Sequence, residues 1–194
     1  MSRLLKFVSS GFVFLFMLVT QAIADRLSDA QNAYSMGDYA KAAQLYLPLA
    51  KQGQVKAQLS LGVMYYLGQG VEKNDQDATK WFELAAGQGQ ALAEDILGET
   101  YDKGRGVPKD YSKAVNWYRL AAEQGDAIGQ YNLGIMYARE MGVPQDYVRG
   151  YMWIYLSGQN LDELAYVASQ MTPDQIQLAQ ELAKKCTANK FKGC

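Results

Sequence analysis

The sequence contains no histidine, and this absence removes several kinds of chemistry. Ser-His-Asp and Cys-His catalytic arrangements and His-ligated metal sites all require that residue. No Ser-x-x-Lys tetrad occurs either, so the signature of serine β-lactamases is missing. The Gly-x-Gly segments at residues 68–70 and 104–106 are turns of the repeats rather than phosphate-binding loops. We therefore predict that the protein is not an enzyme, needs no cofactor and binds no metal ion.

Positive charge is sparse and scattered along the chain. The sequence has 19 basic and 20 acidic side chains, and Arg3 and Lys6 belong to the N-terminal segment described next. No block of basic residues remains, whereas nucleic acids and anionic lipids attract concentrated positive charge. Both are poor candidate partners, and we expect a protein or peptide partner instead.

The first 24 residues resemble an export signal. Arg3 and Lys6 precede an apolar stretch at residues 7–20, and Ala22-Ile23-Ala24 provides a small-x-small cleavage site. An uncleaved membrane anchor is the alternative, although the apolar run is shorter than the roughly 20 residues of a spanning helix. We predict cleavage before Asp25, no membrane span after cleavage, and a periplasmic or fully secreted protein.

Only two cysteines occur, and both lie near the C-terminus, at Cys186 and Cys194. Export to an oxidising compartment favours a disulfide between them. Pairing between molecules remains an alternative, while two cysteines alone cannot complete a thiolate metal site.

A period of 36 residues dominates the middle of the chain and indicates a stacked array of repeats. The matched positions are Leu61/Leu97/Leu133, Gly62/Gly98/Gly134, Tyr65/Tyr101/Tyr137, Gly70/Gly106/Gly142, Val71/Val107/Val143 and Trp81/Trp117/Trp153. Each repeat is predicted to contain two helices, because apolar residues recur at helical spacing on both sides of a glycine-rich turn. Asp110 and Asp126 are predicted N-caps, and the mid-helix glycines predict close approach of neighbouring helices.

The ends of the array differ from its middle. A first repeat with a shorter turn occupies residues 25–54 and contains Tyr34, Tyr39 and Tyr46. Thr172-Pro173-Asp174-Gln175 predicts a capping box at the start of a last helix, which continues to about Lys185. We expect capping helices and a Cys-clipped tail over residues 161–194.

The string L-G-x-x-Y-x-x-G-x-G-V, followed by W-aromatic-x-x-A-A-x-Q-G, resembles the Sel-1-like repeat family, which is related to tetratricopeptide repeats. The resemblance covers residues 55–160 as three repeats, while residues 25–54 are closer to a tetratricopeptide unit. It implies an all-α fold, a right-handed α/α solenoid of about four helix-turn-helix repeats with C-terminal capping helices. Glu140 stands where Gly68 and Gly104 stand in the earlier repeats, and Gly150 replaces an alanine, so we expect less regular packing in the fourth repeat.

The resemblance also implies a function as an adaptor or scaffold that binds proteins or peptides. Two alternatives remain open: a cell-wall-active or β-lactamase-like enzyme, as some cysteine-rich relatives are described, and a secreted factor that interacts with host proteins.

In related solenoids the first helix of each repeat lines a concave groove, and its exposed positions are the candidate binding site. Asp95, Glu99 and Asp102 form one stripe on a helix, which suits a peptide carrying Lys or Arg between apolar anchors, although such a stripe is also typical of a solvated surface. The candidate groove residues are Lys56, Leu59, Val63, Tyr66, Asp95, Glu99, Asp102, Tyr131 and Ile135, flanked by Leu92, Ile128 and Ala138.

Overall fold

The computed structural model describes residue 21 and residues 23–194, and within these residues the regular structure is helical throughout. The all-α prediction and the division of each repeat into two helices are confirmed. The helices are α1 (described over 23–35), α2 (Tyr39–Lys51), α3 (Val55–Leu67), α4 (Asp75–Ala86), α5 (Ala91–Lys103), α6 (Tyr111–Glu123), α7 (Ala127–Ala138), α8 (Tyr147–Ser157), α9 (Leu161–Ser169) and α10 (Pro173–Ala188). Repeats 1 to 4 consist of α1–α2, α3–α4, α5–α6 and α7–α8.

Side-chain caps define the starts of several helices, as the sequence predicts. Asp110 Oδ1 accepts a hydrogen bond from the backbone N–H of Lys113 at 3.0 Å, and Asp126 Oδ1 accepts one from Gly129 at 2.7 Å. Thr172 and Gln175 form the complete capping box at the start of α10. Each cap satisfies backbone donors that have no partner within the helix.

The chain divides into two compact units, and the boundary lies between Asn74 and Asp75. In unit 1, α2 packs against α3, and the Tyr34 hydroxyl donates a hydrogen bond to Gln69 Oε1 at 2.8 Å. In unit 2, each helix from α4 to α7 packs against the next one, α5 also contacts α7, and α8 contacts both α9 and α10.

A turn glycine fastens each repeat to the one before it within a unit. Gly106 has φ +68°, and a Cβ built on it would lie 2.6 Å from the carbonyl carbon of Asp75, the first residue of α4. Gly142 approaches Tyr111 at the start of α6 in the same way, at 2.5 Å. Only glycine combines this left-handed conformation with room for such close backbone contact. The recurring glycine is therefore explained by packing between repeats.

Mid-helix glycines bring the two helices of a repeat together. A Cβ on Gly98 would lie 2.4 Å from the Tyr118 ring, and one on Gly134 would lie 2.8 Å from the carbonyl oxygen of Gly150. A Cβ on Gly150 would in turn meet Ala138 Cβ at 3.1 Å. Gly134 and Gly150 therefore face each other and allow α7 and α8 to approach closely.

The C-terminal helices cover the fourth repeat. Trp153 is buried in a cluster that includes Ala179, Ala183 and Cys186 of α10, whereas the matching Trp117 is half-buried. Cys186 and Cys194 form the predicted disulfide. The loop that it closes places Phe191 within 3.1 Å of the position that a Cβ would take on Gly125, in the turn between α6 and α7. The tail therefore packs on the third repeat as well as on α10.

Two predictions concern the N-terminal segment. The predicted signal peptide, residues 1–24, lies almost entirely outside the described residues. Across the part of the chain that the structure covers, no helix has the length and apolar character needed to span a bilayer.

Candidate functional site

The candidate residues of unit 1 form one stripe along α3. Lys56 is exposed, and Leu59, Val63 and Tyr66 are half-buried. The Lys73 ammonium lies 5.9 Å from the centre of the Tyr66 ring, at cation–π distance. This stripe therefore presents apolar surface with positive charge at both ends.

In unit 2 the equivalent stripes lie on α5 and α7, and we call these two stripes together the first-helix face. Its residues are Leu92, Asp95, Glu99, Asp102, Ile128, Tyr131, Ile135 and Ala138. Because α5 contacts α7, the two stripes lie side by side.

Asp95 is buried, with 6% of its surface exposed, and the expectation that it lies open to solvent is wrong. Its Oδ1 accepts a hydrogen bond from Asn132 Nδ2 of α7 at 3.1 Å. Burial raises the pKa of Asp95 to about 6, and the nearby carboxylates of Asp126 and Glu99 add to this effect, although the bond from Asn132 opposes it. Ala138 is buried too, because Gly150 of α8 packs on it. Asp95 therefore joins two repeats and does not present its charge to a ligand.

Glu94, which the sequence reasoning did not single out, is a second buried carboxylate beside Asp95. Its Oε2 accepts a hydrogen bond from Gln124 Nε2, at the end of α6, at 2.6 Å. Burial raises the pKa of Glu94, and the carboxylate of Asp126 contributes further, while the bond from Gln124 opposes the shift. The signal that could have revealed it is the matching position, which is glutamine in the neighbouring repeats.

Glu99 is half-buried, and its carboxylate is shared by two cations of the chain itself. It accepts hydrogen bonds from the Lys103 ammonium and from Arg105 Nη1, the latter at 3.3 Å. Both ion pairs are partly exposed, where such pairs contribute little to stability. They nevertheless offset the charge of Glu99. Asp95 is buried and Glu99 is paired, so within the described residues Asp102 is the carboxylate of the stripe that is both partly exposed and outside an ion pair.

The end of the first-helix face is joined to α9. The Tyr131 hydroxyl accepts a hydrogen bond from Asn160 Nδ2 at 3.1 Å, and Arg139 Nη2 lies 3.0 Å from each carboxylate oxygen of Glu163. Ile135 is half-buried and packs against the core cluster of unit 2. Tyr131 is therefore tied to the start of α9.

Two repeat-matched aliphatic side chains project from the start of the face. Leu92 is 43% exposed and Ile128 is 47% exposed, each in the first turn of its helix. Leu161, at the start of α9, is 76% exposed. Leu92 and Ile128 thus repeat the same exposed aliphatic position 36 residues apart, on two helices that contact each other.

Metal binding is not supported by the side chains in this region. Within residue 21 and residues 23–194, no group of three or more Cys, Asp or Glu side chains has an arrangement that could hold a metal ion. The carboxylates of Glu94, Asp95 and Asp126 therefore do not form a cation site.

Comparison with known proteins identifies the repeats. The model of the Sel1 repeat family matches four segments, residues 29–54, 55–90, 91–126 and 127–160. The first of these segments is the shortened repeat. No curated protein gives a significant match.

Two solved structures are similar to this chain. The crystal structure of a Sel1 repeat protein from Oxalobacter formigenes has 31% sequence identity and a TM-score of 0.65, over 84% of this chain and 63% of that one. The structure of c5321, a protective antigen present in uropathogenic Escherichia coli strains and displaying an SLR fold, has 27% identity and a TM-score of 0.55. That match covers 78% of this chain and 42% of the antigen. The chain thus spans less than two thirds of the length of both proteins.

These matches and the packing of the repeats lead to the same conclusion. Sel1 repeats form an α/α solenoid and are protein-interaction modules, and the family fold is generally non-catalytic. The four matched segments together cover more than half of the sequence, and the helices follow the repeat boundaries. The chain belongs to the Sel1 repeat family.

Proposed function

We propose that this protein is an exported adaptor or scaffold that binds a protein or peptide on its first-helix face. Family membership carries the interaction role, since Sel1 repeats are protein-interaction modules that support such a role. The export signal predicted at residues 1–24 supports the location, and the Cys186–Cys194 disulfide fits an oxidising compartment.

Recognition on this face is proposed to be mainly apolar. Leu92 and Ile128 are the exposed aliphatic side chains, and Tyr131 and Ile135 add half-buried surface behind them. The acidic stripe contributes less than the sequence suggests, because Asp95 is buried and Glu99 is shared by two cations. A partner with aliphatic or aromatic anchors one repeat apart fits this surface better than one selected by positive charge.

Lys56, Leu59, Val63 and Tyr66 offer a similar apolar stripe on α3 in unit 1. We propose that they contact the same class of partner. Their positions in repeat 2 match those of the first-helix face in repeats 3 and 4, which supports this proposal.

The test compares two double variants of matched exposure. Leu92→Asp/Ile128→Asp changes the first-helix face, whereas Leu84→Asp/Leu120→Asp changes leucines of α4 and α6 that are 51% and 46% exposed. Proximity labelling in the cell envelope with wild type should identify partners that the control variant retains and the face variant loses. Retention of all partners by the face variant, with unchanged thermal stability, would overturn the assignment of the face but not the adaptor role.

Export is tested separately. Cell fractionation should place the mature protein in the periplasm, and N-terminal sequencing should begin at Asp25. A protein retained in the cytoplasm with Met1 intact would contradict the proposed location.

Secretion into the surroundings is the second candidate. It is supported by the similarity to a protein that is itself described as a protective antigen of uropathogenic Escherichia coli. Detection in culture supernatant while a periplasmic marker stays inside the cells would favour this candidate.

A further inference from the structure

One buried position in the repeats carries a hydrogen-bond donor in two cases and a carboxylate in the third. Gln58 Nε2 donates to the carbonyl oxygen of Ala50 at 3.1 Å, and Gln130 Nε2 donates to that of Ala122 at 3.3 Å. Each bond ties the first helix of a repeat to the end of the preceding helix. Both glutamines are buried, so these bonds form away from water.

Repeat 3 has Glu94 at this position, and an ionised carboxylate cannot donate. Instead of bonding the preceding helix, the Glu94 carboxylate accepts a hydrogen bond from the side-chain amide of Gln124 at the end of α6. The carbonyl that corresponds to Ala50 and Ala122 belongs to Ala86, which accepts one backbone hydrogen bond, from Gly89 at 2.8 Å. A carbonyl oxygen has a second lone pair, so Ala86 could accept a further bond from a protonated Glu94.

Asp95 increases the amount of negative charge at the same place. It is buried next to Glu94 in the sequence and accepts a hydrogen bond from Asn132 of α7. Asp126, the N-cap of α7, adds a third carboxylate. Amides are thus the partners of both buried acids, and neither acid has a basic partner among the described residues. Buried carboxylates without a cation favour the neutral form, and burial raises the pKa of both.

We propose that Glu94 and Asp95 form a proton-responsive joint where α5 of repeat 3 meets repeats 2 and 4, in which protonated Glu94 bonds Ala86 and ionised Glu94 bonds Gln124. The inference does not depend on the proposed binding function. Proton uptake removes the repulsion between the two acids and Asp126, and it gives Glu94 the donor that glutamine provides in repeats 2 and 4. The joint is therefore tightest in mildly acidic solution.

The groups that face the joint come from each element packed on α5. Glu99 on α5 itself and Asp126 of α7 both raise the pKa of Asp95. From α6 the Tyr118 hydroxyl faces the same stripe, and burial together with the carboxylates of Asp102, Asp95 and Glu99 raises its pKa. From α4, Glu83 lies near the Tyr101 hydroxyl at 3.3 Å.

The sign of the stability change follows from the raised values. The folded state binds protons more tightly than the unfolded chain, whose carboxyl groups titrate near pH 4. The contribution of Asp95 to stability is therefore complete below about pH 4 and is lost as the pH rises through about 6. The contribution of Glu94 has the same sign, because its pKa is also raised.

The main experiment measures urea unfolding of the full chain between pH 4 and pH 7.5. At pH 7.5 the double variant Glu94→Gln/Asp95→Asn should have a smaller unfolding equilibrium constant than wild type. The wild-type constant divided by the variant constant should be roughly tenfold or more larger at pH 7.5 than at pH 4. Asp102→Asn is the matched control, since it removes a half-buried carboxylate from the same helix. It should follow the wild-type pH profile. A double variant with the wild-type profile, or a control that flattens the profile equally, would overturn the proposal.

A second measurement separates the two partners of Glu94 and does not require the double variant to fold. Gln124→Ala should increase the unfolding constant at pH 7.5 and leave it unchanged at pH 4, where protonated Glu94 has Ala86 as its partner. Gln88→Ala changes the matching residue of repeat 2 and should have the same effect at both pH values. An equal effect of Gln124→Ala at the two pH values would show that Glu94 does not change partner.

Discussion

Replacing the turn glycine Gly106 with alanine should destabilise the protein far more than replacing another positive-φ glycine that has no close neighbours. Gly106 has φ +68°, and an L-residue in this region costs about 1–2 kcal/mol. The new Cβ would also lie 2.6 Å from the carbonyl carbon and 2.7 Å from the oxygen of Asp75. Both atoms are backbone, so α4 must move away, and overpacking of this kind costs about 1–3 kcal/mol. The sum is a loss of about 2–5 kcal/mol.

Gly89 is the control, because it has φ +79° but nothing within 4 Å of a built Cβ. Gly89→Ala should therefore cost only the conformational part, about 1–2 kcal/mol. Equilibrium urea unfolding of both variants, followed by circular dichroism, gives the two free energies of unfolding. Equal losses in the two variants would refute the reasoning, since they would show that contact with α4 does not matter. Gly142→Ala repeats the test in the next repeat, where the new Cβ would meet the backbone of Tyr111 instead of that of Asp75.

Two further predictions concern backbone conformation and the tail. Glu140 is exposed with φ +57°, so Glu140→Gly should stabilise the protein by about 1 kcal/mol in thermal unfolding. Arg139→Gly, at φ −109°, should instead be destabilising, and stabilisation by both would contradict the argument. The double variant Cys186→Ser/Cys194→Ser should lower the free energy of unfolding by about 2.5 kcal/mol, since the bridge closes a loop of 8 residues. Hydrogen exchange should increase in the tail and in the turn after α6, and exchange confined to the tail would show that Phe191 does not hold that turn.

The helix boundaries and caps could be predicted because they depend on neighbours in sequence. Asp110, Asp126 and Thr172 cap helices through backbone donors two or three residues away, and the turn residues act within a single turn. The mid-helix glycines were predicted from their cost, and Gly98 and Gly134 do allow close approach of neighbouring helices. Local chemistry was sufficient for these features.

The environment of the candidate site could not be predicted in the same way. Helical spacing placed Asp95 on one stripe with Glu99 and Asp102, and the stripe exists. Whether a residue of that stripe meets water depends on the neighbouring helices, and α7 covers Asp95 while it leaves Leu92 exposed. The effect of Gly150 could not be predicted for a similar reason, because it depends on the glycine that Gly150 opposes on α7.

The sequence by itself determined that this protein is an array of paired helices, since a 36-residue period recurs with the residues that begin, end and closely pack each helix. Tertiary structure alone decided which members of the variable positions are exposed, paired or buried. The physical reason is distance along the chain: the partners of Glu94, Asp95 and Tyr131 lie between 29 and 37 residues away. The recurring residues predict how the repeats stack. The exposure and pairing of the variable residues depend on the neighbouring repeats that pack against them.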